Sequence, residues 1–531
     1  MPSPSAPQPP SGPPADLVHH VPGHWAARGP AAEALACDGR RWTWRRLAER
    51  ADRSRGALRA LGVRRGDRVA HLGRNDPVCL ETFLAAAGAG AATVVLNRRL
   101  APAELAYAVG DSAPVVLLAD SGSAETARRA LAELPAPPRL VVTGGADDAY
   151  EPLLARADPL PPLDDIAPDD TCLVLYTSGT TGFPKGAELT HRGLLSGAAA
   201  LRAAAPIGPG DRNLVPLPLF HVGGIGYALY GMAAGAATHL LRDPAPEALC
   251  RAVGDGATHT LLVPAMLPGV LRAGTAPADA FGRLRHLLYG ASPMPLPLLR
   301  EALDRFPAFR FVQVYGMTEL SGAVTALDPA VHRDPAQARR LASAGRPLPG
   351  VEARVADPAT GAAVPLGRTG ELWVRTAQRM KGYLGRPEAT AETVTEDGWL
   401  RTGDVVRADE DGFLYVEDRL KDLIISGGEN VYSAEVERVL AEHPAVAEAA
   451  VIGVPDEVWG ESVLAVVVAR DGARVEEAGL DAFCRGHLAG YKCPRGVALV
   501  TRLPRNATGK VDKNALRAAH GARERVPRQP R

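Results

Sequence analysis

The stretch YTSGTTGFPKG, residues 176–186, decides how this chain reads. Three glycines, five hydroxyl-bearing side chains and Lys185 fall within eleven positions. Glycines free backbone N–H groups to curl around an anion, and flanking hydroxyls and a cation complete a polyphosphate cradle. The spacing is not that of a Walker-type loop, because Gly179 lacks the Gly-Lys-Ser/Thr five residues on. The plain alternative is a flexible turn after the apolar run 172–176. The rest of the chain separates the two.

Outward from that loop, short aliphatic runs recur at 68–73, 92–97, 115–120, 140–143, 172–176, 260–263, 286–289 and 309–315. Continuous β-branched and aliphatic runs suit parallel strands buried on both faces. The segments between them carry helical periodicity; Thr43 stands where it would cap a helix over 43–61, ended by Gly62. This predicts a large α/β N-terminal domain of layered subdomains. Residues 371–375 and their glycine-rich surroundings predict a small antiparallel β-rich subdomain. After residue 419 the texture changes. Ser433 stands ahead of a helix over 434–440, strands follow at 449–453 and 463–469, then a helix at 480–488 and a strand at 497–501. These predict a small α+β C-terminal domain. The expected division is a Pro/Ser-rich disordered tail at 1–16, the N-terminal domain at 17–418, the C-terminal domain at 419–519 and a basic tail at 520–531.

With 531 residues the chain exceeds one compact core. Sixty cationic and sixty acidic residues give a formal net charge of zero, which advertises no nucleic-acid surface. The longest apolar run, near 83–96, is too short to span a bilayer. The N-terminus has no signal-peptide pattern. Six cysteines show no metal spacing, and Cys172 falls in an apolar strand as a small core residue. A reduced, cytoplasmic setting is expected.

Four more clusters carry candidate chemistry. Tyr315-Gly316-Met317-Thr318-Glu319 follows an apolar strand, and the carboxyl ends of buried parallel strands line the ligand crevice in α/β folds. Trp399-Leu400-Arg401-Thr402-Gly403-Asp404 sets a carboxylate after a turn, where it is suited to a ribose diol. Residues 418–430, DRLKDLIISGGEN, pass from cations through a strand into a Gly-Gly turn at the change of texture. Residues 504–510, PRNATGK, present Lys510 at a loop tip. Taken alone, the first reads about equally well as a turn with a surface glutamate, while a solvated loop residue is the better reading of Asp404 and of Lys510, and a charged linker is the plain reading of 418–430.

In order and spacing, YTSGTTGFPKG, PLPLFHVGG (216–224), YGASP (289–293), YGMTE (315–319), WLRTGD (399–404), DRLKDLIISGGEN and PRNATGK resemble the adenylate-forming superfamily. That superfamily includes acyl-CoA synthetases, luciferases and peptide-synthetase adenylation domains. The resemblance runs from about residue 20 to about 517 and is strongest to bacterial fatty-acid–CoA ligases. It implies a two-step reaction: a carboxylic acid and ATP give acyl-adenylate and pyrophosphate, then the thiol of coenzyme A displaces AMP. Aligning like charges and neutralising them is the main demand.

The resemblance assigns Thr177, Ser178, Gly179, Thr180, Thr181, Gly182 and Lys185 to the β- and γ-phosphates. It gives Thr318 the α-phosphate and Glu319 the Mg²⁺. Gly290, Ala291, Ser292, Tyr315 and Gly316 flank adenine; Asp404 takes the ribose, with Arg419 close by. Lys510 serves adenylation, and Lys421 is the hinge. Rotation there brings Gly427, Gly428 and Glu429 to the CoA side in place of Lys510. His221 gates the way between acyl pocket and thiol tunnel. His221, Gly223, Gly224, Met266, Gly290 and Met317 line the acyl pocket, where the glycines leave room for a medium or long chain. Asp418 stands where the family often has glycine, which implies an altered hinge turn.

No arginine falls in those pocket segments. An apolar monocarboxylic acid, a medium- or long-chain fatty acid, is therefore expected, because a buried second carboxylate would need a cation. An aryl or cinnamyl acid is the second choice. Transfer to a carrier protein is a third reading, although no insertion lies between Asp404 and Gly428. A non-catalytic relative would have lost Lys510, Glu319 or the loop, and all are present. The sequence leaves open whether the enzyme works as a homodimer.

Overall fold

In the computed structural model, residues 16–177, 184–426, 429–456, 458–506 and 510–521 are described. Two large mixed sheets dominate. In the first, parallel strands Arg139–Thr143, Val116–Asp120, Arg68–Leu72, Ala92–Leu96 and Thr171–Thr177 lie side by side. Lys185–Thr190 and Gly382–Tyr383 then add antiparallel at one edge. In the second, the parallel core is Glu33–Cys37, Ala237–Leu240, Arg212–Val215, His259–Leu262, His286–Gly290 and Arg310–Met317. Antiparallel strands flank it, among them Gly322–Leu327. Val94, Val174, Leu287 and Val312 are fully buried, as strands covered on both faces require.

One continuous core joins the two sheets. Helices Pro77–Gly88, His191–Ala204 and Val222–Ala233 contribute Phe83, Leu194, Leu195, Ile225 and Tyr227, and the strands contribute Leu173, Leu288 and Val312. The helix Trp44–Ala60 begins as its sequence predicts: the Thr43 hydroxyl accepts from Arg46 N–H at 3.2 Å. A third, four-stranded antiparallel sheet is built from Val351–Ala356, Thr369–Thr376, Leu400–Ala408 and Leu414–Arg419.

Beyond Arg419 a separate sheet gathers Glu429–Val431, Ile424–Ser426, Gly460–Ala469, Val446–Asp456 and Gly496–Leu499. Its two faces carry their own cores, one under helices Ser433–Glu442 and Glu477–Arg485, the other under Lys513–His520. The observed architecture is the expected one: a large layered α/β unit with a β-rich annex, followed by a small α+β unit. All six cysteines are buried and unpaired. No helix among the described residues is long and apolar enough to cross a membrane.

The start of the helix Ser433–Glu442 departs from expectation. Ser433 is its first residue rather than its cap, and Tyr432 at the cap position offers no side-chain bond. The missing acceptor comes from across the domain junction. Asp418 accepts from the backbone N–H of Ser433 and, at 2.7 Å, from that of Arg419. The Ser433 hydroxyl instead accepts from Lys513 at 2.5 Å, and Lys513 also pairs with Glu437 at 2.8 Å. Asp418 thus does more than reshape a turn: it anchors the first helix of the small unit to the last strand of the large one.

Candidate active site

The phosphate-loop motif connects two paired strands. Thr177 is registered against Lys185, so the loop springs from the mouth of a hairpin. Ser178, Gly179, Thr180, Thr181 and Gly182 lie outside the described residues. Tyr176 turns away from the loop, donating to Asp111 at 2.7 Å and to the Ala108 carbonyl at 3.1 Å on the helix Pro102–Ser112. Tyr107 of the same helix donates to the Pro184 carbonyl at 3.3 Å. That helix therefore grips both ends of the loop.

Glu319 comes from the other large sheet, in the turn Thr318–Leu320 after the strand Arg310–Met317. Its carboxylate is buried, and Oε1 accepts from Thr177 at 3.2 Å and from Tyr383 at 2.9 Å. No described hydrogen bond reaches Oε2. Lys185 sits over the Tyr383 ring, 5.2 Å from its centre. The structure thus brings Thr177, Lys185, Thr318 and Glu319 to one junction between the sheets. Among the described residues no group of three or more His, Cys, Asp or Glu could hold a metal. A single carboxylate with an uncommitted oxygen suits Mg²⁺, which keeps waters and phosphate oxygens as its other ligands.

Tyr315 and Asp404 form a second focus. The Tyr315 hydroxyl donates to Asp404 Oδ2 at 2.5 Å, and Arg419 Nε holds Oδ1 at 3.0 Å. Burial, then the neighbouring carboxylate, pushes the Tyr315 phenol well above its ordinary range. Asp404 lies opposite Arg419 in the antiparallel pair Leu400–Ala408 and Leu414–Arg419, so strand register alone makes them meet. Gly403 reaches φ +70° within the strand, just before Asp404. Glu371, a residue the sequence reading passed over, holds the chain at that point. It accepts from Gly403 N–H at 3.0 Å, Arg401 at 3.2 Å and the Trp373 indole at 2.8 Å.

Gly290 ends the strand His286–Gly290 beside the strand carrying Tyr315, and Ala291 and Ser292 follow it. Ala291 holds a left-handed φ of +66° and is exposed, as are Ser292 and Gly316. A non-glycine residue at positive φ is uncommon and marks a constrained turn.

His221 immediately precedes the helix Val222–Ala233, and Phe220 packs against its ring at 4.5 Å between centroids. Burial holds the imidazole down to about 4, helped by the nearby charges of Lys510 and Arg99. Lys510 of the small unit thus lies near enough for its charge to act on His221 of the large one. Lys510 is tied to Asn506: the Asn506 N–H donates to its carbonyl at 2.8 Å and its own N–H donates to Asn506 Oδ1 at 3.1 Å. Lys421 lies in the turn Leu420–Asp422 between the two units. Glu429 begins the strand Glu429–Val431, while Gly427 and Gly428 lie outside the described residues.

Two of the pocket glycines lie against neighbouring backbone: a Cβ on Gly224 would lie 2.0 Å from the Pro218 carbonyl oxygen, and one on Gly290 would lie 2.2 Å from that of Val314. Gly223 faces Leu217 and Leu261 side chains at 3.3 and 3.9 Å. Met266 and Met317 are half-buried against the core. Tyr289 points away, its hydroxyl hydrogen-bonded to His332 at 2.9 Å.

Hydroxyls, a lysine and a buried carboxylate gathered at one hairpin mouth suit a nucleotide-dependent ligase. Family comparison gives the same class. The model for AMP-binding enzymes matches residues 23–384 and that for their C-terminal domain matches 435–510. The chain belongs to the AMP-binding enzyme family, as an AMP-forming acid–thiol ligase. A feruloyl-CoA synthase of an Amycolatopsis species is 42% identical over 505 residues, covering 94% of this chain and 99% of the relative. Fatty acid–[acyl-carrier-protein] ligase ScoC of Streptomyces coeruleorubidus is 37% identical, covering 93% and 94%. Among solved structures, ATP-bound MatB from Rhodopseudomonas palustris superposes with a TM-score of 0.87 at 31% identity, covering 96% and 99%. Adenylate-forming CoA ligases use ATP, Mg²⁺ and coenzyme A, and so does this chain.

Proposed function

We propose that the protein is an acyl-CoA synthetase for an apolar monocarboxylic acid, with a planar aryl-propenoic acid of the cinnamyl type as its preferred substrate. The observation that carries this choice is the 42% identity to a feruloyl-CoA synthase, which extends over 94% of this chain and 99% of that relative. A medium- or long-chain fatty acid is the second reading, supported by the 37% identity to a fatty-acid ligase.

In this reading the acid's carboxylate oxygen attacks the α-phosphorus of ATP, and the bond to pyrophosphate breaks. Mg²⁺, when bound, offsets the phosphate charge. Glu319 holds the metal, Thr177 and Lys185 hold the leaving pyrophosphate, and Thr318 meets the α-phosphate. Asp404 keeps acceptor capacity for the ribose hydroxyls, because a carboxylate has about four lone-pair sites and two are already used. Lys510 lowers the repulsion between the two anions as they meet. In the second step the thiol sulfur attacks the acyl carbon, and AMP departs with the C–O bond electrons. His221 is neutral and compact at the junction where both steps converge.

From Asp404 to Ser426 the chain runs through three strands and one short helical turn with no insertion. That leaves the small unit able to rotate about Lys421, which supports coenzyme A over a carrier protein as acceptor. The test is a pyrophosphate-release screen with ferulate, p-coumarate, octanoate, palmitate and malonate. The expected result is a kcat/KM for a cinnamyl acid about ten-fold or more above the fatty acids. Palmitate or octanoate in first place would establish the second reading instead.

A further inference from the structure

The segment 378–384 straps the two large sheets together at the phosphate end. Ser321 Oγ donates to the Gln378 carbonyl at 2.7 Å, and Met380 N–H donates to the Glu319 carbonyl at 2.8 Å. On the other side, Lys381 N–H donates to Glu188 and Leu384 N–H to Gly186, both at 2.8 Å. One short run of backbone is thus bonded to the Glu319 turn on one sheet and to the exit strand of the phosphate loop on the other. Tyr383 lies within it, registered against Ala187 and half-buried. Its hydroxyl donates to Glu319 Oε1 and its ring carries the Lys185 ammonium.

We propose that Tyr383 is a positioning residue for Mg²⁺-ATP. Two hydrogen bonds on Oε1, from Tyr383 and Thr177, leave Oε2 as the oxygen presented to the metal. Without them the carboxylate would have to be ordered at the moment of binding, and losing a hydrogen bond to a charged group weakens binding measurably. The ring acts separately: it holds Lys185 by cation–π attraction at the hairpin mouth, where terminal phosphates arrive. One side chain therefore sets both the metal carboxylate and the phosphate lysine, and it does so from outside the loop. The inference rests on the assignment of Glu319 to Mg²⁺.

Two substitutions separate the two contacts. Tyr383→Phe keeps the ring and removes the hydroxyl; Tyr383→Leu removes both. ATP binding to the full-length enzyme is measured by titration calorimetry, with Mg²⁺ varied and with EDTA. Thioester formation from supplied acyl-adenylate is followed in parallel. Tyr383→Phe is expected to raise the Mg²⁺ midpoint for ATP binding about ten-fold, with metal-free binding and the thioester step unchanged. Tyr383→Leu is expected to weaken metal-free binding as well. In a Glu319→Gln background, Tyr383→Phe should have no further effect on the midpoint. A wild-type Mg²⁺ midpoint in Tyr383→Phe overturns the proposal. So does an equal loss with and without metal, or an undiminished Tyr383→Phe effect in the Glu319→Gln background. A wild-type midpoint in Glu319→Gln alone would overturn the Glu319 assignment itself, and the proposal with it.

Discussion

Tyr315 donates its hydroxyl to Asp404 at 2.5 Å, and Arg419 holds the other oxygen of the same carboxylate at 3.0 Å. The three residues come from two different sheets, and Arg419 is the last residue before the turn that leads into the small unit. Asp404, the ribose acceptor in the proposed function, is therefore held in part by a residue that also borders the turn between the two units. Tyr315→Phe should raise the KM for ATP about ten-fold while leaving the thermal midpoint nearly unchanged, since a hydrogen bond to a charged group is involved. Asp404→Ala should be more severe, about a hundred-fold, because it removes both the ribose acceptor and the partner of Arg419. Steady-state kinetics with ATP varied reads both effects; a wild-type KM in Asp404→Ala would remove Asp404 from the nucleotide site.

Asp418 supplies the acceptor that the helix Ser433–Glu442 lacks at its own start. Asp418→Ala should therefore loosen the small unit against the large one by about 1–2 kcal/mol, the usual magnitude for a lost helix cap. Limited proteolysis at the 419–433 junction should speed up accordingly. Unchanged cleavage there would mean that the carboxylate contributes nothing to the docking.

Much of the large fold was legible because its strands are buried on both faces. Runs such as 92–97 and 115–120 are aliphatic throughout, and the structure places strands at Ala92–Leu96 and Val116–Asp120. The four-residue strands Arg212–Val215 and Ala237–Leu240 were not legible, because they are too short to show a period. Residues carrying motifs stood out, and residues acting on those motifs did not. Tyr383 and Glu371 work through pairing with strands nearly two hundred and about thirty residues away respectively, and no local spacing reports that. The Ser433 signal misled because its cap lies fifteen residues upstream, at Asp418.

His332 makes a pH prediction. Its ring is buried between the Asp328 carbonyl at 3.0 Å and the Tyr289 hydroxyl at 2.9 Å, and burial lowers its pKa from 6.5 to about 4. The unfolded chain takes the proton first as pH falls. Stability is therefore complete above about pH 6.5 and declines between 6.5 and 4, by at most about 3 kcal/mol from this residue. His191 and His286, also lowered to about 4 by burial, add to the same decline. Urea midpoints measured from pH 7.5 to 4.5 should fall, and His332→Gln should flatten part of that slope. A slope unaltered by the substitution would place the acid sensitivity elsewhere.

Lys510 tests the account most directly, since the proposed function has the small unit bring it to the reacting atoms, and its charge helps lower the His221 pKa in the large unit. The measurement compares Lys510→Ala with wild type in two half-reactions: ATP–pyrophosphate exchange with the best acid, and thioester formation from coenzyme A and supplied acyl-adenylate. The account predicts loss of exchange by a factor of about a thousand or more, with thioester formation retained within a few-fold. Equal loss in both half-reactions, or retained exchange, would contradict it.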